Sequence, residues 1–419
     1  MAGLLPRIVT SPALRSLQRR VAAARRRMSG AAPLVRYFHQ VDDPYSALAV
    51  RALPHLEAQW GVRVRPYLVP PPDAAAAPDA ERLSAWSLRD ARTLADGLGL
   101  QPTFETMPDP GAVKAGQAAL AGTTDAVEFC AIAARIEAGF LGAAPMARPA
   151  GGLHRTESAL AAGARERQRR GHYLGATFHF EGEWYWGLDR LPALESRLAR
   201  IAPGGAPFVE RLEVRSDPPP APAGAGIEAF VSLRSPYTYT ALPRLIALCE
   251  RTGAALRLRP VLPMVMRGLP VPLVKRLYIL RDVKREAERL GLPFGHISDP
   301  VGRPVERGMA VLHRAIADGR GEAFILSFMK GVWAEGVDAG TDRGLFALAR
   351  RAGLDAGQVR AALADDSWIA AAESNRTDLL GNGLWGVPAF RVTRTGGASG
   401  PVRWGQDRLW AIEADLLRA

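Results

Sequence analysis

No CxxC pair occurs in the 419 residues, and the only cysteines are Cys130 and Cys249. That absence excludes a dithiol–disulfide oxidoreductase. Both cysteines lie inside apolar helical stretches, EFCAIAA and IALCERT, and read as small core residues. No apolar run is long enough to span a bilayer, and no secretory-type apolar core opens the chain. None of the seven histidines stands in HExxH or another metal-ligand spacing, so no metal site is expected, and His296 in FGHISDP reads as a loop residue. P-loop, GxGxxG and GxSxG motifs are missing as well. Lysine is scarce, with four among 54 basic residues, so any lysine at a chemically plausible place stands out.

Acid is absent before Asp42, where Arg7, Arg15, Arg19, Arg20, Arg25, Arg26, Arg27 and Arg36 carry eight of the chain's net +12 charges. The remaining +4 is ordinary for this size, so the basic excess belongs to a tail and no nucleic-acid partner is expected. The tail, residues 1–32, has three readings. It is a disordered arm, an untranslated stretch before Met28, or a mitochondrial transit peptide with Leu14, Leu17 and Val21 at helical spacing. The first two are preferred, which predicts a cytoplasmic protein with no membrane partner and leaves a mitochondrial one as the alternative.

What is present is one text written twice. VRYFHQVDDPYSALAVRALPHLEAQWGVRVRPYLVP in the first half answers IEAFVSLRSPYTYTALPRLIALCERTGAALRLRPVLP in the second. Each is a β-type run, a Pro-Tyr turn, an amphipathic helix and a strand ending Arg-Pro, which is a β-α-β unit with a crossover helix. Trp86–Asp90 (WSLRD) answers Tyr278–Asp282 (YILRD), and Leu98-Gly99-Leu100 answers Leu290-Gly291-Leu292. Each half closes on a hairpin followed by WGxDRL. The Pro/Gly-rich stretch Asp217–Gly226 marks a linker. The expected organisation is a tail 1–32, a first domain 33–200, a linker 201–226 and a second domain 227–419.

In the second half the ordered motifs are Ser235-Pro236-Tyr237, Lys275 before a helix, VWAEGVD at Val332–Asp338, Asn375 in ESNRTD, GVPAF at Gly386–Phe390 and WGQDRL at Trp404–Leu409. This set resembles the DsbA superfamily of thioredoxin-fold proteins. Within it, the set is similar to the glutathione-using 2-hydroxychromene-2-carboxylate isomerases and kappa-class glutathione transferases. The resemblance implies an α/β fold of two tandem thioredoxin-like (DsbA-type) domains, each with a helical insertion. Two features depart from the family: Ser232 stands where many relatives have an acid, and the turn Thr393–Gly400 is longer than usual.

The residues make chemical sense beside the resemblance. Ser235-Pro236 is a helix start, with serine as N-cap and proline preorganised for the first position. A helix N-terminus also favours an anion, and a thiolate is one. Lys275 offers a compact positive charge or is a solvated helix-start cation. What the resemblance adds is glutathione as cofactor, with Ser235 catalytic. Lys275, Asn375, Val387, Pro388, Gln406 and Asp407 would bind it, with Pro388 cis and Val387 pairing with the peptide backbone. Asp407 would meet the γ-glutamyl ammonium, cap the last helix, or both.

At the same places the first half has Asp43 for Ser235, Leu83 for Lys275 and Ala176 for Pro388, and keeps only Asp189 opposite Asp407. A carboxylate at the helix start would repel a thiolate. The first domain is therefore expected to be structural, packed on the second as a built-in pseudo-dimer. The expected activity is glutathione-dependent isomerisation of a small aromatic or conjugated oxo-acid by thiolate addition and elimination. A kappa-like transferase is the alternative, and a non-catalytic binding or scaffold protein is the rival of another class.

Overall fold

Each β-type run that precedes a Pro-Tyr turn becomes a central strand of its own four-stranded sheet. The computed structural model describes residues 4–142, 152–394 and 396–418; the tail's first three residues and Thr395 of the long turn lie outside them. The chain divides into an N-terminal unit, Pro12–Leu212 with Pro272–Tyr278, and a C-terminal unit, Met1–Ser11 with Glu213–Val271 and Ile279–Ala419.

The N-terminal sheet contains β1 (Leu34–His39), β2 (Arg63–Leu68), β3 (Thr177–Phe180) and β4 (Glu183–Trp186), in the order β2-β1-β3-β4. The C-terminal sheet contains β5 (Gly226–Val231), β6 (Ala255–Pro260), β7 (Ala389–Thr393) and β8 (Ser399–Trp404), in the order β6-β5-β7-β8. In both sheets the first pair is parallel and the other two are antiparallel. Register makes the correspondence residue by residue: Arg36 pairs with His179 where Glu228 pairs with Arg391, and Thr177 faces Trp186 where Ala389 faces Trp404. A helical block separates β2 from β3, and another separates β6 from β7.

The helices that matter to the site are α1 (Pro12–Ser29), α2 (Pro44–Ala49), α3 (Ala80–Leu98), α4 (Gly187–Leu198), α5 (Pro236–Thr252), α6 (Leu273–Arg289), α7 (Ser367–Gly381) and α8 (Leu409–Leu416). Asp43-Pro44 and Ser235-Pro236 start α2 and α5 with a polar cap and a proline in the first turn. The shared WSLRD and YILRD texts do the same work twice: Tyr45 Oη donates to Asp90 at 2.7 Å, and Tyr237 Oη donates to Asp282 at 2.8 Å. Gly99 and Gly291, in the shared LGL texts, both take left-handed conformations at helix ends, where only glycine does so without steric cost.

The two sheets differ in the charge on their outer faces. On the C-terminal sheet Glu228 is buried, accepting from Arg259 at 2.5 Å and from Arg391 Nε at 2.8 Å. Both guanidiniums lie over the Phe230 ring, and both also bond Asp378 of α7 at 2.9 Å. In the N-terminal sheet the central charge is reversed: Arg36 stands at the Glu228 position and pairs with Glu166 at 3.2 Å.

Three boundary expectations change. The tail expected to be disordered is helical, as a six-residue helix Leu4–Val9 and α1. Having no acids of its own, α1 pairs with the β3–β4 hairpin: Arg19 bonds Glu183 at 2.6 and 2.8 Å, and Arg26 bonds Glu181. The segment 201–226, expected to be a linker, carries residues that pack on each core. Phe208, Val209 and Leu212 pack on the N-terminal core, and Val214 and Ala221 on the C-terminal one. The second domain was expected to run unbroken from 227. Instead Pro272–Tyr278 joins the N-terminal unit, because Tyr278 is an aromatic anchor clustered with Phe38, Val69 and Trp184. Cys249 is buried and Cys130 half-buried, both on helices and both free. Among the described residues no helix is long and apolar enough to cross a membrane.

Removing the carboxylate at the centre of the C-terminal network strands two part-buried guanidiniums. Glu228→Gln is expected to destabilise the protein by about 3–5 kcal/mol, read as a lower urea midpoint by circular dichroism. A change under about 0.5 kcal/mol would show that Asp378 alone neutralises the pair.

Candidate functional site

The C-terminal end of β5 feeds a tight turn, in which Ser235 N–H donates to Ser232 O at 3.0 Å, and the chain then enters α5. Ser235 is extended (φ −92°, ψ 111°), and its Oγ accepts from Thr238 N–H at 3.2 Å. The same hydroxyl donates to Val387 O at 3.3 Å, which joins the helix start to a turn 152 residues later in the chain. The Val387–Pro388 peptide bond in that turn is cis.

Four contacts brace the turn. Gly405 N–H donates to Pro388 O at 2.8 Å. Arg267 Nη2 donates to Trp385 O at 2.7 Å. The Trp385 and Trp404 rings meet with centroids 5.1 Å apart. Gly386 lies so close to Trp404 that a Cβ there would come within 2.1 Å of the indole. Two hydroxyls at the helix start, Thr238 Oγ1 and Ser232 Oγ, are buried with no hydrogen-bond partner among the described residues. Buried hydroxyls are normally paired, so these two are an exception to be accounted for.

Ser235, Val387 and Pro388 are thus brought together, and the remaining expected residues fall in three other places. Gln406 is buried, accepting from Arg244 of α5 at 3.2 Å and donating to Asp407 at 3.2 Å. Asp407 lies in a short turn, Gln406–Arg408, and the cap position of α8 is Arg408, so the expected helix-capping role of Asp407 is not fulfilled. Burial lowers the Arg244 pKa, and Asp407 opposes that shift. Asn375 of α7 is engaged at both ends of its amide: Oδ1 accepts from Arg259 at 2.5 Å and Nδ2 donates to Pro260 O at 2.9 Å. Lys275 belongs to the segment grouped with the N-terminal unit, where Nζ donates to Ala76 O at 2.9 Å and burial lowers its pKa. The expectation that Lys275 sits in one continuous site domain with Ser235 is corrected accordingly.

Sequence reasoning missed Thr238, Arg244 and Arg267. The spacing between Ser235 and Thr238 signals only a cap and its third helical position, and the two arginines are unremarkable in so arginine-rich a chain.

In the N-terminal unit the same geometry is closed. Asp43 caps α2, accepting from Tyr45 N–H at 3.2 Å and from Ser46 N–H at 3.1 Å. Ser46, at the Thr238 position, donates to Asp43 at 2.8 Å and accepts from Ala176 N–H at 2.8 Å. Gly187 N–H donates to Ala176 O at 2.7 Å, as Gly405 does to Pro388, which places Asp189 opposite Asp407. Leu83 is a residue of α3. Burial pushes the Asp43 carboxyl up to about 6, although the bonds from Ser46 and Tyr45 pull it down.

Residues 226–417 match the family described as the DSBA-like thioredoxin domain. The C-terminal half is a DSBA-like thioredoxin domain. The chain is 24% identical over 201 residues to the 2-hydroxychromene-2-carboxylate isomerase of Sphingobium xenophagum, which covers 46% of this chain and 97% of the relative. A solved 2-hydroxychromene-2-carboxylate isomerase matches at 21% identity with a TM-score of 0.38, covering 46% of this chain and 94% of the other. The cytosolic disulfide reductase DsbM of Pseudomonas aeruginosa matches at 25% identity with a TM-score of 0.39, covering 46% of this chain and 100% of that one. Around this DSBA-like site the chain has serine at the helix start and no CxxC.

Because the Asp43 pKa is raised in the folded state, its neutral form favours folding. That contribution is complete below the unfolded pKa and is lost as pH rises through about 6. The stability of wild type relative to Asp43→Asn is therefore expected to fall by roughly 1–3 kcal/mol between pH 4 and 7 and then level off. Urea titrations at several pH values check this; a pH-independent difference would mean that the carboxylate is already ionised at pH 4.

Proposed function

We propose that the C-terminal DSBA-like domain is a glutathione-dependent isomerase of the 2-hydroxychromene-2-carboxylate isomerase type. Its substrate would be a small aromatic or conjugated oxo-acid, and the N-terminal unit would be a degenerate duplicate with its anion site closed. The observation that carries the reading is the helix start of α5. There the Ser235 hydroxyl, the buried unpartnered Thr238 hydroxyl and the Val387 carbonyl converge. In the N-terminal unit the equivalent positions carry a carboxylate. A helix N-terminus with hydroxyl donors stabilises a thiolate, whereas an ionised carboxylate there repels one.

These residues fit a γ-glutamyl peptide thiol. The carbonyl of Val387, held in the free protein only by the long bond from Ser235, accepts from the peptide's backbone N–H as in strand addition. That pairing releases the Ser235 O–H to donate to the sulfur, and the Thr238 hydroxyl gains the partner it lacks. Asp407, beside Gln406, meets the ammonium end. Glutathione supplies a thiol nucleophile for reversible addition to a conjugated carbon. The chain's own residues orient that sulfur, hold it deprotonated and keep it in place between addition and elimination. Such chemistry belongs in a reducing compartment, and the cytoplasm is the proposed one.

Calorimetric titration of the full chain with glutathione, beside a spectrophotometric isomerase assay on a hydroxychromene carboxylate, tests the reading; no heat of binding would refute it. Ser235→Ala is expected to raise the thiol pKa of bound glutathione by about one to two units, for a charge-assisted bond of roughly 1.5–3 kcal/mol. The readout is thiolate absorbance against pH, and coincident curves would reduce Ser235 to a cap. Thr238→Val is expected to leave the free protein as stable or slightly more so, since it removes an unpaired buried hydroxyl, and to weaken glutathione binding roughly tenfold. Undiminished affinity in that variant would show that the orphan hydroxyl does not face the ligand.

A further inference from the structure

The basic helix α1 has two faces with different tasks. Arg19 and Arg26 lie on one side, seven residues apart, and bond Glu183 and Glu181 of the β3–β4 hairpin. Arg197, almost fully buried, donates to the same two glutamates at 2.8 and 2.9 Å, so the anchor is a five-charge network rather than a single surface pair. At 3.6 residues per turn, Leu14, Leu17, Val21 and Met28 fall within about 60° of arc, roughly opposite that anchored side. They are exposed at 40%, 48%, 40% and 80%. Arg20, Arg25 and Arg27 flank the stripe, are exposed, and form no ion pair among the described residues. There is no acid anywhere before Asp42.

We propose that α1 docks the protein on an anionic membrane surface, lying in the interface with its apolar stripe among the acyl chains and its arginines at the headgroup phosphates. An outward apolar stripe bordered by cations on both sides is the pattern of an interfacial helix. A nucleic acid would account for the arginines but would leave the leucines unexplained. The anchoring ion pairs sit on the opposite face, so the helix can stay attached to its own unit while the stripe is covered. This proposal is independent of the glutathione reading.

The test is co-sedimentation of the full chain with vesicles of phosphatidylcholine containing phosphatidylglycerol at about one third, against vesicles of phosphatidylcholine alone, at physiological salt. Partition onto the anionic vesicles should be at least about tenfold stronger, since each arginine near such a surface contributes roughly fivefold. Arg20→Gln/Arg25→Gln/Arg27→Gln should lower it about a hundredfold. Leu17→Ser/Val21→Ser, which leaves the charge unchanged, should lower it about tenfold or more through lost apolar burial. All substituted positions are exposed, and matching thermal melts by circular dichroism verify that each variant is folded. Equal partition onto both vesicle types, or none onto either, overturns the proposal. So does binding that falls with the arginine changes but is indifferent to Leu17→Ser/Val21→Ser, which would mark α1 as a general polyanion binder.

Discussion

The bond from the Ser235 hydroxyl to the Val387 carbonyl spans 152 residues of chain, and the site exists because both ends are held in place. One end is held by β5. It pairs with β6 on one side and β7 on the other, so its carboxyl end and the amino end of β7 emerge next to each other. The other end is held by the bracing of the cis-proline turn, where Gly386 is packed on Trp404 and Gly405 is bonded to Pro388. A helix start alone is a generic polar place. A helix start facing a backbone carbonyl at hydrogen-bond reach, beside two unsatisfied hydroxyls, has directional preferences for a ligand.

Much of this was legible because the chain states it twice. A single Ser-Pro or Trp-Gly pair says little. Tyr45 and Tyr237, each reaching an aspartate at the end of an LRD text, show that matching letters mark matching contacts. The β-α-β units, the Pro-initiated helices and the alignment of Ala176 with Pro388 all follow from patterns a few residues wide. The roles of Lys275 and of the tail did not follow, for a shared reason. Both depend on which carbonyl or carboxylate a long cationic side chain finds, and side-chain partners distant in sequence leave no local pattern. The reach of Lys275 to Ala76 O and the pairing of Arg19 with Glu183 are of this kind. Asn375 shows the limit from another direction. The sequence marks it as a polar residue in a helical text, but only the fold reveals that Arg259 and Pro260 occupy its amide.

The two sheets share strand order and register while carrying opposite charges at matching positions. Glu228 sits between two arginines, while its counterpart Arg36 sits beside His179 and near Glu166. Burial, together with Arg170 and Arg36, holds His179 near a pKa of 3, so it stays neutral and adds no second buried positive charge. Each face satisfies the same requirement, that a buried charge be paired. Because the sign is free, this face diverges while the strands beneath it keep their register.

The helix starts differ under a stricter rule, and proline is the reason. Ala176 has a backbone N–H, and at that buried position it must be accepted by something. Ser46 accepts it, and Asp43 accepts the Ser46 hydroxyl in turn. Pro388 has no N–H. The Thr238 hydroxyl, at the Ser46 position, therefore has no N–H of residue 388 to accept, and it is buried without a partner among the described residues. An unpaired buried hydroxyl costs about 1–3 kcal/mol. A ligand that paired with the Thr238 hydroxyl, as proposed for glutathione, would offset that cost.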